Sequence, residues 1–212
     1  QSLPQRLHDL DPLVHEMRLF KSPAEQQLMR RAGALSAAAH RQAMQRCRPG
    51  LMEYQLEASI LFCFADQGAR SPAYNSIVGG GANGCILHYT ENSEPLNDGE
   101  LLLIDAGCEL AGYAADITRT FPINGKFDTE QKAIYQLVLN SQIAAIEAIK
   151  PNVNFAQLNE IVGKILTEGL HELGILKGDL AQLVEDNACK KYFIHGLGHW
   201  LGLDVHDVGD YH

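Results

Sequence analysis

No C-x-x-C pair, no block of Lys and Arg, and no apolar run near ~20 residues occurs in this 212-residue chain. Each absence removes a class of protein. Without such a run there is no helical membrane span, and no signal peptide opens the sequence. The five cysteines, Cys47, Cys63, Cys85, Cys108 and Cys189, are odd in number and far apart. That speaks against a zinc ribbon and against a disulfide framework. They read as small buried side chains in a reducing compartment, so a cytoplasmic location is expected. Lys and Arg number 17 against 26 Asp and Glu, and the net charge of −9 argues against nucleic acid as a partner. Part of that acidity can be structural, and part can belong to a cation site.

What remains is an ordinary globular composition, 46% hydrophobic and 20% charged. A chain of this length can bury roughly 70% of its unfolded surface in one domain. It begins at Gln1 rather than Met and stops at Tyr211-His212. It is therefore expected to be an excised piece of a longer protein. Residues 1–20, with Pro4 and Pro12, are expected to be a linker or the tail of something upstream.

Ser22-Pro23-Ala24-Glu25 predicts a helix start, with an N-cap Ser, Pro at N1 and Glu at N3 closing a capping box. A second helix is expected from about Met52 to Asp66, with Leu56, Ile60 and Cys63 or Phe64 on one face. Short strands and glycine-rich turns fill residues 71–126. The triple glycine Gly79-Gly80-Gly81 lacks the G-x-G-x-x-G spacing of a dinucleotide site and reads as a tight loop. Asp128 or Thr129 caps a long helix that stops at Pro151, and Asn154 caps another that ends at Gly174. Helix pairs, short strands, helix pairs and a His-rich strand predict an α+β domain, with both pairs in one layer over an antiparallel sheet.

Two aspartates stand out. Leu101 to Ile104 reads as a buried strand running into Asp105, and Tyr113 to Phe121 as its return. Folding the hairpin about its midpoint sets Asp105 opposite Asp116, with Cβ atoms about 5 Å apart. Carboxylates that close repel unless something positive lies between them. A pair of divalent ions wants bridging carboxylates at this spacing. The plainer reading makes Asp105 a turn former and pairs Asp116 with Arg119.

Of the nine histidines, four fall between His195 and His212. Gly196, Gly198 and Gly202 disfavour a helix there. In an extended strand, His195 and His199 share a face and can point into one cavity. Alternatively, His195 and His206 only bond neighbouring carboxylates. His88 lies in an apolar stretch, where a hydrogen-bonded core position is expected. His8, His15, His40 and His171 read as solvated.

Together these pieces resemble the creatinase and methionine aminopeptidase superfamily, the pita-bread fold, and within it the bacterial aminopeptidase P (Xaa-Pro aminopeptidase) family. The matching stretches are Leu19 to Pro23, Cys85 to Asn92, Ile104 to Cys108, Asp116 to Pro122, and His195 to Gly209, in that order. The resemblance implies that Asp116 bridges two divalent metal ions, that Asp105 binds one of them, and that His199 is the single histidine ligand. It makes His88 and His206 catalytic histidines that contact substrate and places His195 in the pocket for proline. Manganese is the expected metal, with cobalt or zinc as alternatives; oxygen-rich ligation with one imidazole suits such ions. The expected substrates are peptides with proline second, whose tertiary amide donates no N–H. The parent is expected to be a homo-oligomer.

The pattern departs from the family in one respect. The family supplies two further glutamate ligands after the His-rich motif, one of them the general base, and this sequence holds neither. Residues 21–212 are thus expected to be a metallopeptidase domain truncated at its C-terminal end, inactive as it stands. Two other functions remain open. Gly198 lies where many bacterial aminopeptidases P carry Ser, and His-Gly-Leu-Gly-His also suits prolidases, which cut Xaa-Pro dipeptides. A non-catalytic pita-bread binding module is the remote alternative, although such proteins generally lose the metal ligands.

Overall fold

The capping box expected at Ser22 forms as the sequence predicts: Glu25 N donates to Ser22 Oγ, and Ser22 N donates to Glu25 Oε2 at 2.7 Å. The computed structural model describes residues 9–211. Helix α1 (Asp11–Leu19) occupies much of the expected linker, with Pro12 in its first turn, where a missing N–H costs nothing. Helix α2 (Pro23–Arg46) buries Ala32, Leu35, Ala39 and Ala43 on one face. Helix α3 (Glu53–Asp66) buries Leu56, Ile60, Cys63 and Phe64, the face read from the sequence.

Six short strands follow: β1 (Ser71–Pro72), β2 (Ile77–Gly80), β3 (Leu101–Asp105), β4 (Cys108–Leu110), β5 (Tyr113–Ala114) and β6 (Thr118–Pro122). They pair antiparallel in two three-stranded sheets, β1-β4-β5 and β2-β3-β6. Leu102 and Ile104 of β3 are fully buried among α2 and α3 side chains, so the strand leads Asp105 out of a well-packed core.

The hairpin forms with a different register. Asp105 lies opposite Thr118, and the midpoint pairing with Asp116 does not occur. The turn explains the shift. Ala111 and Gly112 both have positive φ (52° and 87°) between the paired residues Leu110 and Tyr113, a two-residue turn of the I′ kind. This centres the hairpin on Ala111-Gly112, one residue beyond the expected midpoint. Partner positions therefore move by two, which preserves the face. Asp105 and Asp116 become diagonal neighbours on that face.

Residues 9–126 with Trp200–Gly209 make one compact unit; Phe127–His199 with Asp210 and Tyr211 make another. In the second, α4 (Thr129–Ala148) and α5 (Phe155–Glu172) are capped by Asp128 and Asn154, each through a reciprocal box with a Gln. Helix α6 (Leu180–Glu185) completes the set, around Ala145, Val162, Leu166, Leu170 and Cys189. Helices α2 and α3 pack on the strands of the first unit, and α4 packs on α5 in the second.

Gly169 lets α5 approach α4: a Cβ there would lie 2.3 Å from Leu137 Cδ1. Alanine gains about 1 kcal/mol in helix propensity, and overpacking costs about 1–3 kcal/mol. Leu137 can yield only in part, so Gly169→Ala is expected to destabilise by about 1 kcal/mol. A lower urea midpoint with unchanged slope is the expected result, and a raised midpoint contradicts it.

The expected His-rich strand does not form. Residues 195–199 are irregular, and no described strand pairs with them to satisfy their backbone groups.

Candidate metal centre

Asp105 ends β3, and Asp116 lies in the irregular stretch between β5 and β6. Tyr74, from the loop between β1 and β2, joins them. Its hydroxyl donates to Asp105 Oδ1 and lies 2.8 Å from Asp116 Oδ1. One phenol carries one proton and can donate to one carboxylate at a time. Two half-buried carboxylates therefore compete for the Tyr74 proton. Burial pushes the Asp105 carboxyl up; the Tyr74 bond opposes this, and the negative charge of Asp116 adds to it. Burial and the Asp105 carboxylate also push the Tyr74 phenol up, so it stays protonated. Hard oxygen donors, like charge and partial burial make a pair that a divalent cation would relieve.

His40 supports this stretch from α2. Expected to be solvated, it is 2% exposed, and its Nε2 lies 3.0 Å from Ala106 O, next to Asp105. A carbonyl only accepts, so Nε2 carries the proton, and burial lowers the imidazole pKa and keeps the ring neutral. Nδ1 is buried without a partner. His171 is half-buried, with Nε2 3.2 Å from Gly178 O, and His15 is exposed as expected. His8 lies outside the described residues.

Neither Tyr74 nor His40 was marked by the sequence. Tyr74 is 31 and 42 positions from its partners, and no local pattern signals such a bond.

Of the other expected site residues, His88 and His206 belong to the first unit, and His195 and His199 to the second. His88 is exposed on a turn, and the expected core position is wrong. His195 is exposed, its Nδ1 2.8 Å from Gly196 O and its ring edge-on to Phe193. His199 is half-buried and belongs, like His195, to the second unit. Arg119 donates to Thr118 O at 2.7 Å. Among the described residues no group of three or more His, Cys, Asp or Glu is gathered as a metal cluster. The pair held by Tyr74 is what the geometry brings together.

His206 is exposed on the loop Trp200–Gly209, which is tied to the first unit. Ala114 N donates to Gly202 O at 2.8 Å, and Asp207 takes Arg18 at 2.5 Å and Lys21 at 2.8 Å. Burial pushes the Asp207 carboxyl up, but the Lys21 and Arg18 bonds outweigh it, and the net shift is downward. Its stabilisation is therefore complete above the ordinary carboxylate pKa and is lost as pH falls through the depressed folded value. Asp207→Asn leaves two cations facing a neutral amide, at a cost of about 3 kcal/mol. Chemical denaturation at neutral pH should show that loss, and the variant's acid unfolding should be less steep. A cost below about 0.5 kcal/mol would mean that the ion pairs are not coupled to folding.

The chain is 58% identical over 203 residues to the Xaa-Pro aminopeptidase of Haemophilus influenzae, covering 96% of this chain and 47% of that protein. To the Xaa-Pro aminopeptidase of Escherichia coli it is 55% identical over 208 residues, 98% of this chain and 47% of that one. It thus spans about half the length of these curated relatives. A zinc-substituted E. coli aminopeptidase P in complex with product superposes with a TM-score of 0.97 at 54% identity, over 99% of this chain and 48% of that one. Proline aminopeptidase P II of Yersinia pestis gives 0.96 at 58% identity, over 98% and 48%. The α+β fold is therefore the pita-bread fold. With residues 27–212 matching it throughout, the chain belongs to metallopeptidase family M24.

Proposed function

We propose that this chain is the aspartate-bearing part of an Xaa-Pro aminopeptidase, which removes an N-terminal residue preceding proline. The observation that carries the proposal is the carboxylate pair gathered on Tyr74, together with relatives of that name at 55–58% identity. Asp105, Asp116 and His199 are the proposed metal ligands, with Asp116 bridging. Two divalent ions, manganese by preference over cobalt or zinc, supply acidified water and a polarised scissile carbonyl when bound. Tyr74 keeps the two carboxylates on one side of the hairpin. His88 and His206 contact the substrate and steady charge developing on its carbonyl oxygen, and His195 lines the proline pocket. Residues 1–20 lead from another domain, and 21–212 belong to the catalytic domain. The additional length of the relatives is where the two glutamate ligands are sought. By itself the 212-residue chain is proposed to hold metal weakly and to turn over no peptide. The whole protein is proposed to be a cytoplasmic homo-oligomer. No described helix is long and apolar enough to cross a membrane.

Prolidase was the nearest alternative because of Gly198. A Cβ at that position would meet only Phe155 Cε1, at 3.8 Å. Nothing steric demands glycine there, so serine would fit as well. The whole protein is expected to cleave a tripeptide with proline second. Rapid cleavage confined to an Xaa-Pro dipeptide would make it a dipeptidase.

A further inference from the structure

His88 adopts a left-handed backbone conformation, which few residues with a side chain adopt although His is among those found there more often. Tyr89 N donates to Ile86 O at 3.3 Å, closing a turn in which His88 has a φ of 56°. The left-handed region is uncommon for a residue with a side chain, and this turn position normally selects Gly or Asn. Packing at the tip does not impose it, since Ile86 and Leu87 are 54% and 61% exposed. The constraint comes from behind the turn.

Tyr89 is buried, and its phenol donates to Glu53 Oε2 at 2.7 Å. Glu53, in the first turn of α3, is fully buried. Its Oε2 also accepts from Glu94 N at 3.0 Å, and its Oε1 accepts from Gly80 N at 2.8 Å and Asn83 Nδ2 at 3.1 Å. On the same edge of β2, Asn92 accepts from Val78 N and donates to Ser76 O, each at 2.9 Å. Two side chains thus stand in for a neighbouring strand along β2. The triple glycine serves this arrangement. A Cβ at Gly79 would lie 2.8 Å from Asn83 C, and one at Gly81 2.6 Å from Glu100 Oε2. Residues 79–94 are held to α3 through Glu53, while the Ile86–His88 turn is exposed. A residue held in the left-handed region on an exposed turn, with a buried clasp behind it, is suited to presenting its side chain in one orientation.

We propose that Glu53 is a positioning residue for His88, acting through the Tyr89 phenol to hold the turn in the shape that presents the imidazole. The proposal rests on the reading of His88 as a group that contacts substrate. Tyr89→Phe removes one oxygen and keeps the ring in its place. In the whole protein loaded with manganese, Tyr89→Phe is expected to lower kcat roughly tenfold, with KM and metal content little changed. In a His88→Ala background the same change should alter kcat by less than about twofold, because the group it positions is gone. Equal losses in the two backgrounds, or no loss in the first, overturn the proposal. Should the wild type cleave no Xaa-Pro peptide, the functional reading falls and the inference is judged on the 212-residue chain. There the three-bond HN–Hα coupling of His88 is expected to change in Tyr89→Phe, and an unchanged coupling overturns the proposal. If Tyr89→Phe does not fold, Glu53→Gln takes its place in both measurements with the same outcomes.

Discussion

Gly107→Ala is expected to destroy the aspartate hairpin. A Cβ at residue 107 would lie 1.7 Å from Ala115 O and 2.4 Å from Ala115 C. Both are backbone atoms, so no side-chain rotation relieves the clash. Ala115 cannot retreat without losing its bond from N to Cys108 O (2.9 Å), nor Ile117 without losing the one from Ala106 N to its O (3.0 Å). These bonds join Ala106 and Cys108 to the stretch 115–117, where Asp105 and Asp116 are brought together. The cost should exceed about 4 kcal/mol, at the far end of single-residue effects. Urea unfolding of the 212-residue chain should show a collapsed transition or none. A midpoint like that of wild type would mean that the strands separate freely at Gly107. The contrast with Gly169 is instructive: there a side chain is in the way, and the expected loss is about 1 kcal/mol.

Asp116→Ala should have opposite effects on stability and function. In the metal-free chain it removes one of two like charges competing for the Tyr74 proton. The pair is costly because the Asp105 carboxyl is raised by burial and by Asp116. A carboxyl with a raised folded pKa lets the native state hold more protons than the unfolded one. Stability contributed by that group therefore falls as pH rises through the interval between the unfolded and folded values. The variant should lose part of this decline and be no less stable than wild type near neutral pH. In the whole protein the same substitution deletes the proposed bridging ligand, and kcat should fall by about 10³ or more, the scale seen when one member of a catalytic unit is lost. Stability and peptide turnover measured on one preparation test both parts. Turnover within about tenfold of wild type would remove Asp116 from the metal centre.

Much of this architecture was legible before the fold was known, because it is written in local chemistry. Ser22, Asp128 and Asn154 begin helices since each carries a side-chain acceptor three residues before Glu25, Gln131 or Gln157. The buried face of α3 followed from apolar spacing. The aspartate hairpin was also readable, but its register was not, because Gly107 and Gly112 compete to mark the turn. Only the backbone shows that the turn uses Ala111-Gly112 and that Gly107 instead permits close strand approach. Tyr74, His40 and Glu53 were silent for another reason. Their partners come from distant segments, and a tyrosine in a loop, a histidine in a helix and a glutamate near a helix start all have commoner uses. The His195–His199 segment misled in the opposite sense. Its alternation suits a strand, but a strand needs a paired neighbour as well as a pattern.

Manganese content of the whole protein, measured for wild type and Asp105→Asn on the same preparation scale, bears most directly on the proposed centre. Asparagine preserves the shape of the side chain and can still bond Tyr74, so the hairpin should survive the change. Wild type is expected to hold two ions per chain and Asp105→Asn one or none, because an amide oxygen is a weaker donor than a carboxylate. Equal metal content in the two proteins would show that the carboxylate pair does not hold the metal.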